Sequence, residues 1–126
     1  MTQQNSIIKE LEDGKVRLEI PRRTTKITFH EIDTLYWLAA TEEELVTFKD
    51  KLSSVTGTIQ NGSSEGTPIY YVKCTQGSKT LAEFYFYPSG AVYEKINGKV
   101  KIVAIDGENP AYDLMLEWYE QEKSKK

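Results

Sequence analysis

The dipeptide Asn97-Gly98, which separates the segments YEKI and KVKI, constrains the fold of this chain more than any other feature. Both central residues of a tight type I′ turn need a positive φ angle, so this pair predicts a β-hairpin with a two-residue loop. Such a loop sets the register of the two strands. The pairs that it predicts are Ile96 with Lys99, Glu94 with Lys101, Tyr93 with Ile102, and Val92 with Val103. Glu94 and Lys101 are therefore expected to form a cross-strand ion pair.

Two more turns extend this hairpin into a four-stranded antiparallel meander over residues 68–105. Pro88-Ser89-Gly90 fits a three-residue loop with glycine in the left-handed position. The turn around Gln76-Gly77-Ser78 is less regular, so it sets the register of its strands less strictly. The neighbours that these two turns predict are Phe86 with Val92, Tyr85 with Tyr93, Cys74 with Thr80, and Tyr70 with Phe84.

Alternation along these strands sorts their side chains onto two faces of the sheet. One face is almost purely apolar and is predicted to be the core: Tyr70, Val72, Cys74, Ala82, Phe84, Phe86, Val92, Val103 and Ile105. The other face mixes aromatic rings with charges: Ile69, Tyr71, Lys73, Leu81, Glu83, Tyr85, Tyr87, Tyr93, Lys95 and Ile102.

The mixed face is the candidate binding surface, because tyrosine combines a large apolar ring with a polar tip. The partner-binding residues predicted there are Tyr71, Lys73, Tyr85, Tyr87, Tyr93 and Lys95. The alternative is that a loop or a helix covers these rings, since half-buried tyrosines are common in sheets.

The segments outside the meander predict additional strands and two helices. Residues 15–20 alternate strictly between polar and apolar side chains, as a half-buried strand does. Ile27 and Phe29 alternate in the same way, and residues 30–33 break the alternation, which indicates a bulge or a short loop. Residues 35–38 are interpreted as a buried continuation of the strand. A capping box at Thr41 starts a helix over residues 42–54, and Asn109 followed by proline starts another over residues 110–122.

These elements predict an α+β fold: a single domain over residues 1–126, with an antiparallel meander sheet of five to seven strands and two main helices packed on one face. Residues 1–13 are expected to form a helical turn or to fray, and residues 122–126 to fray. A length of 126 residues is close to the commonest size of one domain.

The residues that carry catalysis in other proteins are scarce here. The chain has one histidine, His30, and one cysteine, Cys74, which excludes a His-pair or multi-thiolate metal site. Cys74 falls on the predicted core face, where cysteine behaves as a small apolar residue. The glycines are scattered one per turn and form no phosphate-binding loop. We therefore expect no catalytic residue, no metal and no cofactor, with a small enzyme using His30 as an alternative.

Composition and charge favour a binding module. A net charge of −3 argues against a nucleic-acid binder, and no apolar run reaches the ~20 residues of a membrane span. The first residues lack the basic and apolar regions of a signal peptide, which predicts a cytoplasmic protein. The leading hypothesis is a non-enzymatic module that recognises a protein partner, or a second copy of itself as a homodimer. The alternative is an extracytoplasmic domain of a bacterial lipoprotein or membrane-anchored protein whose anchor was removed.

Overall fold

A computed structural model describes residues 5–60 and 66–125, and it places two helices on one face of an antiparallel sheet. The α+β class is confirmed, but the described sheet has nine strands rather than five to seven. The strands are β1 (Ile8–Glu10), β2 (Lys15–Leu18), β3 (Lys26–Glu31), β4 (Trp37–Ala39), β5 (Thr56–Gln60), β6 (Tyr70–Gln76), β7 (Lys79–Phe86), β8 (Val92–Ile96) and β9 (Lys99–Ile105). The helices are α1 (Glu42–Ser53) and α2 (Pro110–Ser124), and Glu12–Gly14 forms one 3₁₀ turn. The predicted number was too low because β1 and β4 have three residues each, too few for alternation to be recognised.

The four-stranded meander forms the middle of the sheet, whose order is β1-β2-β5-β9-β8-β7-β6-β3-β4. Asn97 and Gly98 have φ angles of 52° and 80°, as a type I′ turn requires. The predicted register of β8 with β9 is confirmed from Ile96–Lys99 to Val92–Val103. The pairs that the glycine loop at residues 88–90 predicts between β7 and β8 are confirmed as well.

The predicted register of β6 with β7 was wrong by two residues. Cys74 lies opposite Ala82 rather than Thr80, and Tyr70 lies opposite Phe86 rather than Phe84. One residue of the shift arises at the turn, where Gln76 pairs with Lys79, and the other at a β-bulge, in which Leu81 is the additional residue of β7. A shift of two residues leaves every side chain on its predicted face, because the side-chain period of a strand is two.

The core lies between the sheet and the two helices. α1 begins with the predicted capping box, in which the Glu44 amide donates to Thr41 Oγ1 at 3.2 Å and the Thr41 amide donates to Glu44 Oε1 at 2.9 Å. Phe48 of α1 is fully buried, and its ring packs edge-on against Phe29 of β3 with the centroids 5.2 Å apart. The predicted core residues of the meander are buried, apart from Ile105, which is partly buried.

The buried face of α2 differs from the apolar stripe that helical spacing predicts, which is Ala111, Leu114, Met115 and Trp118, with Tyr119 at its edge. Ala111 and Met115 are buried as expected, but Tyr112 and Tyr119 are also buried. The Tyr112 hydroxyl donates to the carbonyl of Pro88 at 3.1 Å, so the ring can be buried with its polar group satisfied. This bond ties the start of α2 to the loop between β7 and β8.

The beginning of the described chain is a strand, not the predicted helical turn or frayed end. β1 pairs with β2, and Ile7 and Ile8 are buried in the core. Residues 1–4 and Lys126, which belong to the predicted frayed ends, lie outside the described residues. Within 5–60 and 66–125, neither helix is long and apolar enough to cross a membrane.

Candidate partner-binding face

A row of aromatic side chains crosses the sheet on its outer face, the face turned away from the helices. Each member lies directly opposite the next one on the neighbouring strand, from β4 through β3, β6 and β7 to β8. We call these residues the aromatic row: Trp37, His30, Tyr71, Tyr85 and Tyr93. Strands lie ~4.8 Å apart, so four strand spacings give the row a length of ~19 Å. The pairing of the five strands thus places these separate aromatic residues in one continuous row on the surface.

Contacts between neighbouring rings hold the row in place. The His30 imidazole stacks on the Trp37 indole with centroids 4.1 Å apart and planes inclined by 9°. Tyr71 and Tyr85 are separated by 5.3 Å, and Tyr85 meets Tyr93 edge-on at 5.5 Å. Such pairs contribute about 0.5–1.5 kcal/mol each beyond the area that they bury. These contacts therefore fix the orientation of the rings.

The hydroxyls of Tyr71 and Tyr85 are neutral at physiological pH. Burial, followed by the hydrogen bond and the charge of Glu83, raises the pKa of Tyr71 far above its usual value. The Tyr71 hydroxyl donates to the Glu83 carboxylate. Burial and then the Glu83 charge also raise the pKa of Tyr85. These groups can act as hydrogen-bond donors without adding negative charge to the face.

A line of charged residues runs beside the aromatic row, two positions further along the strands. Lys73 lies directly opposite Glu83, and Lys95 lies on β8 two residues after Tyr93. Lys95 is exposed, whereas Lys73 and Glu83 are partly buried. The arrangement is an aromatic centre with a charged rim, which is the usual anatomy of a protein–protein contact.

The end of the row at β4 is the most exposed apolar part of the described protein. Leu35 is 96% exposed and Trp37 is 57% exposed. Their interpretation as a buried continuation was wrong, because a tight turn after β3 interrupts the alternation and β4 is an edge strand. In this turn Asp33 has a φ angle of 67° and Thr34 Oγ1 donates to the carbonyl of Glu31 at 2.7 Å. The break predicted at residues 30–33 thus extends to Leu35, which lies in the loop before β4.

The opposite end of the row borders a small second apolar cluster. Tyr87 is only 2% exposed and packs with Ala91 and Ile102, and Tyr93 lies against them. A groove of about 610 Å³ opens beside this cluster and is bounded by residues 66–68. Tyr87 therefore forms the floor of the groove, whereas Tyr85 and Tyr93 also belong to the row.

The structure thus brings the six predicted binding residues onto one face, but it gives them different positions. Tyr71, Tyr85 and Tyr93 lie in the row, Lys73 and Lys95 lie beside it, and Tyr87 is buried. Sequence reasoning missed three residues of this surface: Leu35, Trp37 and His30 as a ring of the row. Their inclusion depends on the pairing of β3 with both β4 and β6, which no local pattern encodes.

Among residues 5–60 and 66–125, the hydrogen bond and the ring contact of His30 involve no nucleophile. Its Nε2 lies 2.9 Å from the carbonyl oxygen of Thr34, and its ring is stacked on Trp37. Cys74 is on the core face, where burial raises the pKa of its thiol to about 12. Among residues 5–60 and 66–125, no three His, Cys, Asp or Glu side chains are grouped in a way that could hold a metal ion.

Comparison with known protein families, with characterised proteins and with solved structures finds no match to this chain.

Proposed function

We propose that this protein is a non-enzymatic binding module, which recognises a protein partner through the aromatic row and the exposed residues at its β4 end. The observation that carries the proposal is the exposure of Leu35 and Trp37 at the end of a row of rings already held in position. Tryptophan and tyrosine are the residues that most often contribute the largest share of binding energy at protein interfaces.

The position of the row relative to the described helices and strands supports this use. Both helices pack on the opposite face, and within the described ranges no helix or strand lies over Tyr71, Tyr85 or Tyr93, which stay partly exposed. An exposed apolar surface of this kind usually marks an interaction site. Rings that are already oriented also lose little conformational entropy on binding.

The charges beside the row indicate the chemistry of the partner. Lys73 and Lys95 flank Glu83, which already accepts a hydrogen bond from Tyr71. The complementary surface would therefore have an apolar centre with carboxylates at its rim. A second copy of this chain would have to place acidic groups of its own surface against these lysines. The experiment below distinguishes such a homodimer from a complex with another protein.

The test is affinity capture from cells of the native host, with three forms of the immobilised protein compared by quantitative mass spectrometry. The double variant Leu35→Ser/Trp37→Ser removes the exposed apolar groups from the outer face. The matched control is Val46→Ser, which removes a 64% exposed apolar side chain from α1 on the opposite side. Both changes are at exposed positions, so the free energy of unfolding should change little.

The proposal predicts that the original protein and Val46→Ser capture the same partner, and that Leu35→Ser/Trp37→Ser loses it. Equal capture by all three proteins would refute a role for this face. Sedimentation of the isolated protein at two concentrations distinguishes a second copy from another protein. Dimers that Leu35→Ser/Trp37→Ser abolishes would identify the chain itself as the partner.

A further inference from the structure

A second groove, at the other end of β7 from Tyr85, is lined by cationic side chains. It has a volume of about 660 Å³, within the range of known ligand sites. Lys9 of β1, Arg22 and Arg23 of the loop after β2, and Lys79 at the start of β7 line it. Three segments that are far apart in the sequence thus contribute positive charge to one concave surface.

Hydrogen bonds of the backbone hold the walls of this groove in place. The Asn5 amide donates to the carbonyl of Leu81 at 2.8 Å, which attaches the start of the described chain to β7. The Thr24 amide donates to the carbonyl of Pro21 at 3.1 Å and closes a turn with the two arginines at its centre. The Thr25 amide donates to the carbonyl of Thr75 at 2.8 Å, which anchors that turn to β6. The groove is therefore a product of the fold rather than of mobile side chains.

The positive charge of the groove is not neutralised from within. None of its four cationic side chains forms an ion pair within residues 5–60 and 66–125. Among the described residues, Glu19 is the one acidic residue in the lining, and its carboxylate is already paired with Arg17 at 3.1 Å. An anion that enters the groove would therefore meet cations that no carboxylate of the described residues neutralises.

The positive charge of the groove is opposite in sign to the net charge of the chain. The groove and Arg17 hold five of the 16 basic residues but only one of the 19 acidic residues. The rest of the chain accordingly has 11 basic residues against 18 acidic ones, and the net charge is −3. The excess of positive charge in this groove favours the binding of a negatively charged ligand there.

We infer that this groove binds an acidic peptide segment, rich in aspartate and glutamate and carrying apolar side chains. Arginine guanidinium groups match carboxylates in a two-bond geometry, and here two of them project from one anchored turn. Leu81 and Pro21 add apolar surface to the lining, which a single small anion would leave uncovered. The cations come from three separate segments, and this suits an extended ligand with several charges.

The test is a fluorescence-anisotropy titration of the full chain with a fluorescein-labelled peptide of ten residues, eight Asp or Glu and two Leu. Binding should be saturable and should weaken when sodium chloride is raised from 50 to 500 mM, because salt screens exposed charges. A peptide with Asn and Gln in place of Asp and Glu should not bind. The variant Arg22→Ser/Arg23→Ser should bind about tenfold more weakly, since it loses two arginine–carboxylate contacts.

The matched control is Lys99→Ser/Lys101→Ser, which removes the same charge from exposed positions on β9, outside the groove. It should bind the acidic peptide as the original protein does. Lys9→Ser/Lys79→Ser removes the other two cations of the groove and should also weaken binding. The inference therefore does not depend on the fold of one variant. Absence of binding, an equal loss in the β9 control, or displacement of the peptide by equimolar inorganic phosphate would each overturn the inference.

Discussion

The buried carboxylate of Glu94 offers a sharp test of how this sheet is held together. Its side chain is only 2% exposed, and its oxygens accept hydrogen bonds from Ser6 Oγ at 2.6 Å and from the Ile7 amide at 2.7 Å. Sequence predicts an ion pair with Lys101, which lies directly opposite. That ion pair is absent between these two described residues, and Lys101 is exposed. Glu94 therefore attaches the start of the described chain to β8.

The magnitude follows from the two hydrogen bonds. A bond to a charged group contributes about 1.5–3 kcal/mol, and an unpaired buried amide such as that of Ile7 costs about 1–3 kcal/mol. Removing the carboxylate also removes the cost of burying its charge, which offsets part of this loss. Glu94→Ala should therefore lower the free energy of unfolding by about 2–4 kcal/mol. Glu94→Gln, which keeps one acceptor, should cost about half as much.

The assay is urea unfolding followed by tryptophan fluorescence, combined with hydrogen exchange of the Ile7 amide. Lys101→Ala is the control, and it should change the free energy of unfolding by less than about 0.5 kcal/mol. The Ile7 amide should exchange faster in Glu94→Ala and at the original rate in Lys101→Ala. The reasoning is refuted when Glu94→Ala is as stable as the original protein, or when Lys101→Ala is equally damaging.

Three further predictions concern the core. Burial raises the pKa of the Cys74 thiol to about 12, so this thiol should resist N-ethylmaleimide at pH 8 and react only when urea unfolds the protein. Rapid labelling of the folded protein, detected by mass spectrometry, would contradict this. Burial also raises the pKa of Tyr112 to about 12. The neutral, buried hydroxyl of Tyr112 therefore stabilises the folded protein below pH ~10, and this stabilisation is lost as the pH rises toward 12. The thermal midpoint should fall over that interval, and a constant midpoint would count against the burial of this ring. Gly57→Ala would place a Cβ atom in steric clash with the Ala104 carbonyl oxygen. Urea unfolding should therefore show that the free energy of unfolding falls by about 3 kcal/mol, while Thr58→Ala should lower it by less than about 1 kcal/mol.

Local signals explain why much of the meander could be predicted from the sequence. The turns at Asn97-Gly98 and Gly90 need positive φ angles, and the residues that tolerate them set the register of the adjacent strands. The turn after β6 was harder, because the bulge at Leu81 is stabilised from elsewhere in the chain. The Leu81 carbonyl accepts from the Asn5 amide, and no pattern within β6 and β7 indicates that bond.

The difference between local signals and contacts that depend on the tertiary fold also applies to α2. A hydrophobic stripe finds Ala111 and Met115, but it gives little weight to tyrosine. Tyr112 is buried because its hydroxyl has an acceptor in a loop that is distant in the sequence. Burial of an amphipathic side chain is decided by its hydrogen-bond partner, and that partner is known only from the tertiary fold.

For the candidate site, alternation was sufficient to place Tyr71, Tyr85 and Tyr93 on one face. It could not show that β3 pairs with β6, which adds His30 and Trp37 to the same row. The exposed β4 end of the surface could therefore not be predicted from the sequence, although it supplies the strongest argument for binding.

The most direct test of the central claim is photo-crosslinking of the protein in cells of its native host. A photoreactive amino acid is placed at position 35, at the exposed end of the aromatic row, and in a second protein at position 46 on α1. We expect one predominant adduct from position 35, lost on Trp37→Ser, and no such adduct from position 46. Identical adducts from both positions, or none from position 35, would contradict the claim that the outer face is the recognition surface.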